Sequence, residues 1–141
     1  MRGFVLLICF GTFVTVLVDG LTDEEKQRIS AVHTKCQADP VTHVDEEILK
    51  QLHKGEHVDR SIVGVHILCM SKNLGFQKEN GDIDKKRTSK KFGRVIHDDA
   101  KLDETVKICA LQKTTPEETA LDLLKCFRDN TDHSIHAGHH H

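Results

Sequence analysis

The stretch Arg60–Phe76, RSIVGVHILCMSKNLGF, is the most apolar run in the chain after its first twenty residues, and a cysteine stands at its centre. Ile62, Val63, Val65, His66, Ile67, Leu68, Cys69 and Met70 leave almost no polar face over about two turns, the pattern of a helix contacted on several sides. Asp59 or Ser61 is placed to cap its start, and Gly75 to end it in a left-handed turn with Phe76 folding back. A buried strand rarely exceeds about eight residues, so this run predicts a central helix around which the remaining elements must pack.

The first twenty residues read differently. MRGFVLLICFGTFVTVLVDG has Arg2 in a short basic n-region, an apolar core from Phe4 to Val18, and a cut expected ahead of Leu21. That core is shorter than the ~20 residues that span a bilayer and has no basic stop-transfer flank, so it reads as a secretory signal peptide and not as an anchor. The mature chain is then about 120 residues, one domain, small enough to gain from covalent staples. Cys9 leaves with the signal, and Cys36, Cys69, Cys109 and Cys126 remain in an oxidising compartment, which predicts two disulfides. Four cysteines allow three pairings, and spacing alone does not choose among them. No CxxC or CxxH pair supports a zinc site. The net charge of −2 leaves no basic footprint for nucleic acid or an anionic membrane. Only two prolines and no alternating β-branched runs point to an all-α domain.

In chain order, Thr22 and Glu25 form a capping box for a first helix whose face carries Ile29, Val32 and Cys36, closed by Asp39-Pro40. A short second helix is predicted at Asp45–His53, with Gly55 as its stop, and the central helix is the third. Gln77–Arg87, with its Asn80-Gly81 turn signal, reads as an exposed connector. A fourth helix is placed at Ser89–Ile96 and a fifth at Leu102–Gln112. The sixth starts with Thr115 as cap and Pro116 at its first position. The lysines and arginines at 85–91 read as a solvated face, because acidic residues flank them.

The spacing of these four cysteines, with the strings LCMSKNLGF and PEETALDLLKCF, resembles the insect pheromone-binding and general odorant-binding protein family over about Leu21–Arg128. Six cysteines recur in that family, and the places of its second and fifth are taken here by Val65 and Glu117. Those two pair with each other, so their joint loss leaves no orphan thiol, and the chain looks like a four-cysteine "minus-C" member. The resemblance implies a compact six-helix domain around an internal apolar cavity, with Cys36 joined to Cys69 and Cys109 to Cys126. It divides the chain into a signal peptide (1–20), a helical domain (21–128) and a His-rich tail (129–141).

It also implies a secreted, extracellular carrier of small hydrophobic molecules such as odorants or pheromones, acting as a monomer or weak homodimer. A membrane receptor is the candidate partner at delivery; nucleic acid, membrane insertion and cofactors have no place in it. The candidate ligand-binding residues are Ile29, Val32, Val65, His66, Leu68, Phe92, Ile96, Val106, Ala110, Leu121 and Leu124. Apolar pockets use the same residue types as cores, so each has core packing as its competing reading. His66 is read first as a core histidine and second as a hydrogen-bonding group for a polar ligand head. No GxSxG, HExxH or paired-cysteine redox motif supports catalysis. His133, His136, His139, His140 and His141 could chelate a metal in principle, but no metal site is assigned. The alternative function is a secreted protein-binding or effector role, which a large exposed apolar patch would favour.

Overall fold

The computed structural model describes residues 22–139, with side chains described for 22–131, so the signal peptide and the side chains of the His-rich tail from 132 onward lie outside the described residues. Six helices follow in order: α1 Asp23–Ala38, α2 Glu46–His53, α3 Arg60–Leu74, α4 Lys85–Phe92, α5 Asp99–Cys109 and α6 Pro116–His139. Among the described residues the only ladder contact is one isolated antiparallel bridge, between Gln77 and Ile83.

Each helix begins at a side-chain oxygen. Thr22 and Glu25 make the full capping box of α1. Asp45, Asp59, Asp84 and Asp98 accept from the first-turn amides of α2, α3, α4 and α5, and Thr115 Oγ1 accepts from Glu118 N at the start of α6. Each such cap stabilises a helix by about 1 kcal/mol and leaves little freedom in where the chain turns. At the other end of α3, Gly75 has φ +91°; its N–H donates to Lys72 O, and Phe76 N–H donates to Ser71 O at 2.9 Å. This is the paired-bond termination that needs a left-handed residue.

Two of the predicted helices are shifted. The fourth starts at Lys85 instead of Ser89, because Asp84 caps it, and it stops at Phe92 because Gly93 leads into a turn carrying Val95 and Ile96. The fifth starts at Asp99 instead of Leu102, again at an aspartate cap, and ends at Cys109 instead of Gln112. The segment read as an exposed connector is partly interior: Gln77 is buried, its Nε2 donating to Gly81 O (2.8 Å) and Pro116 O (3.1 Å). The backbone of α6 continues past Arg128 to His139, through most of the segment set aside as a tail.

The central helix holds its predicted place. α3 packs on α6 and on α1, while α5 joins α4 to α6. The disulfides reinforce two of these pairs, Cys36–Cys69 between α1 and α3 and Cys109–Cys126 between α5 and α6. α6 is apolar on two faces. Ala120, Leu121 and Leu124 join Val44, Leu49, Val63 and Ile67 in one core cluster, and Leu123, Cys126 and Phe127 join Phe92, Ile96 and Val106 in the other. Phe92 stacks on Phe127 with ring centroids 4.2 Å apart. Where α3 and α6 approach, Gly64 faces Glu117: a Cβ on Gly64 would lie 3.0 Å from Glu117 Cβ. Gly64 directly precedes Val65, the residue that the resemblance sets against Glu117.

Candidate functional site

A cavity of about 230 Å³, partly open to solvent, lies where the α2–α3 connection meets α6. Leu52 from the end of α2, Val58 from the connection, and Leu121 and Leu124 from α6 supply its apolar lining. Their placement follows from local sequence. Gly55, at φ +81°, turns the chain after α2 so that Val58 comes back over the core, and Leu121 and Leu124 share the α6 face that packs toward α3. The rim is charged: Arg60, Lys125 and Arg128 border it, with Glu56 opposing them.

Arg60 is held in a network. Its Nη2 lies 2.5 Å from Glu118 Oε2 and 2.8 Å from Asp122 Oδ1, and the hydrogen bond between Arg60 and Glu118, the largest cause for each, holds the Glu118 pKa below and the Arg60 pKa above its ordinary value. Arg128 is anchored differently. Its Nη1 donates to Leu52 O (2.8 Å) and His53 O (3.3 Å), carbonyls at the C-terminal end of α2, where Leu52 O also accepts from Gly55 N–H at 3.0 Å.

The eleven candidate ligand residues are not brought to one place. Leu121 and Leu124 line the cavity. Leu68 packs beside them in the same core cluster, whereas Phe92, Ile96 and Val106 belong to the cluster across α6. Val32 and Ala110 are buried, and Ile29 and Val65 are half-buried, outside the cavity lining. Leu52, Val58 and Arg128 escaped the sequence reading. Leu52 is in sequence one apolar residue of a short helix, with core packing as its ordinary role, and nothing local marks Arg128 as the partner of carbonyls 75 and 76 residues earlier.

His66 is a buried core histidine, 1% exposed. Its Nδ1–H donates to Thr42 O at 3.0 Å, which fixes the neutral tautomer and leaves Nε2 as a lone-pair nitrogen with no partner among the described residues. Its ring meets His33 edge-on at 5.2 Å, and His33 Nε2 in turn lies 3.0 Å from Glu46 Oε2. Burial holds the His66 and His53 imidazoles below their ordinary pKa; Glu46 is pushed down chiefly by the hydrogen bond from Gln37. Among the described residues no group of three or more His, Cys, Asp or Glu side chains is arranged to hold a metal. No described helix is long and apolar enough to cross a membrane.

Comparison with known proteins agrees with this architecture. The chain is 22% identical in sequence to a solved odorant-binding protein of Drosophila melanogaster, dmelOBP28a, and superposes on it with a TM-score of 0.61, covering 79% of this chain and 96% of that one. It is 29% identical to the B1 protein and 30% identical to the B2 protein of the beetle Tenebrio molitor, over 111 residues in each case. Those alignments span 79% of this chain and 84% and 85% of the relatives. The profile of the PBP/GOBP family matches residues 19–130. The all-α fold, the helix order and these matches together place the chain in the PBP/GOBP family.

Proposed function

We propose that the chain is a secreted, extracellular carrier that binds small hydrophobic molecules and releases them at a membrane receptor. The observation that carries this reading is the partly open cavity of about 230 Å³ with Leu52, Val58, Leu121 and Leu124 along its apolar side, in a member of the PBP/GOBP family. Its volume falls just below the ~300–1,000 Å³ usual for small-molecule sites, which favours slim ligands. The apolar run at residues 4–18 supports export. The exposed large apolar residues, Val41, Ile62, Ile108 and Leu111, are spread over the α1–α2 loop, α3 and the region where α5 ends, which favours a small ligand over a protein-docking patch.

The chain has no Trp or Tyr to report on binding, so the test is displacement of a neutral naphthylamine probe by a panel of alkyl alcohols, esters and acids. Binding of the probe and its displacement by part of the panel are expected. A protein that binds neither the probe nor any panel member is not a carrier.

A further inference from the structure

We propose that the groove selects anionic amphiphiles, taking an alkyl chain along Leu52, Val58, Leu121 and Leu124 and a carboxylate head at Arg128. The proposal deepens the carrier reading and rests on it. Three cations border the groove against one acid, Glu56, so the lining favours a negative ligand. The three are not equally available. Arg60 is committed to Glu118 and Asp122, and Lys125 Nζ lies 3.1 Å from Asp129 Oδ2.

Arg128 has no carboxylate within 4.0 Å among the described residues; its only partners there are the Leu52 and His53 carbonyls, both taken through Nη1. Those carbonyls end α2 and offset part of the positive charge, while they fix the guanidinium plane. The remaining Nη2 and Nε edge is the fork that accepts a carboxylate through two parallel hydrogen bonds. Arg128 is half-buried, so such a pair is screened less than one on the open surface. The Arg128 charge is felt nearby as well: after burial, it is the next cause holding the His53 imidazole below its ordinary pKa.

The test compares decanoate with decan-1-ol, two ligands of one chain length that differ in the head, by displacement of the neutral probe at neutral pH and low salt. The intact protein is expected to bind decanoate about tenfold more tightly than the alcohol, the scale of a charge-assisted pair at a half-buried site. Arg128→Gln should bring the two within about twofold, and Lys125→Gln should leave the preference in place. Because Arg128 also holds the end of α2, a second variant keeps the cation: Arg128→Lys retains a donor for those carbonyls and a positive partner for the head without the two-donor fork, and should keep part of the preference that Arg128→Gln loses. Equal binding of the two ligands by the intact protein, or a preference that survives Arg128→Gln undiminished, overturns the anionic selectivity while the carrier reading stands. Failure of probe, acid and alcohol alike overturns both.

Discussion

Replacing Gly81 by alanine tests how the 77–83 turn is seated on the last helix. Gly81 sits at φ +94°, where an L-residue is strained by about 1–2 kcal/mol. A Cβ there would also lie 2.6 Å from Pro116 Cγ and 2.7 Å from Pro116 Cβ, well inside the ~3.5–4.0 Å of an ordinary carbon contact. Pro116 is a rigid ring at the start of α6 and cannot rotate aside, so the overlap adds an overpacking cost of about 1–3 kcal/mol. Alanine restricts the unfolded chain and returns about 0.4–1 kcal/mol. The net loss is about 3 kcal/mol. Gly55 supplies the control: it has φ +81°, but a Cβ there would meet nothing within 4 Å, so Gly55→Ala should cost only about 1 kcal/mol. Urea unfolding followed by far-UV circular dichroism separates the two. Equal losses for both variants would mean that backbone strain alone is being measured and that the turn does not rest on Pro116.

The disulfides enclose loops of different length, with sequence separations of 33 and 17, so removing Cys36–Cys69 by paired serine substitutions should cost about 4 kcal/mol and removing Cys109–Cys126 about 3 kcal/mol in urea melts. Leu121, 3% exposed, should lose about 2–5 kcal/mol on truncation to alanine, whereas Leu111→Ala, at 45% exposure, should lose less than about 1 kcal/mol, both read as shifts in thermal midpoint. Acid should weaken the fold in two windows. His66 and His53 have folded-state pKa values below the unfolded value of about 6.5, so the unfolded chain binds more protons as pH falls through that value, and stability present above it is lost. Glu25 is lowered to about 2, chiefly by its hydrogen bond with Arg94, so its contribution is present above pH 4.5 and fades as pH falls toward 2. Midpoints measured from neutral pH downward should fall in both ranges, and His66→Gln should flatten the upper one; an unchanged slope in that variant would remove His66 from the account.

Helix ends were legible in the sequence where they rest on local chemistry. Thr22 with Glu25, Asp59, Gly75 and Thr115-Pro116 all act within a few residues of themselves, and each stands where the pattern put it. α4 was misplaced because Val95 and Ile96 extend the apolar spacing beyond Phe92, although they belong to a turn after Gly93, and because Asp84 was read as part of a charged connector instead of a cap. Gln77 looked like a surface residue because its two acceptors include the carbonyl of Pro116, 39 residues away. The groove was hidden for the same reason. Composition shows that Leu121 and Leu124 are apolar, but only the folded chain brings Leu52 and Val58 beside them and sets Arg128 against the end of α2.

The placement of the two disulfides sorts the helix contacts by strength. α1 is bound covalently to α3, and α5 to α6, but α3 and α6 meet without a covalent link, through packing that includes Gly64 against Glu117 and through the ion pairs of Arg60 with Glu118 and Asp122. A fluctuation that parts the molecule without breaking a bond therefore separates one cross-linked half from the other along that seam. Arg60 on one half and Leu121 and Leu124 on the other are also walls of the groove. The joint with the least covalent restraint thus also forms walls of the groove, and widening it leaves both cross-linked pairs intact.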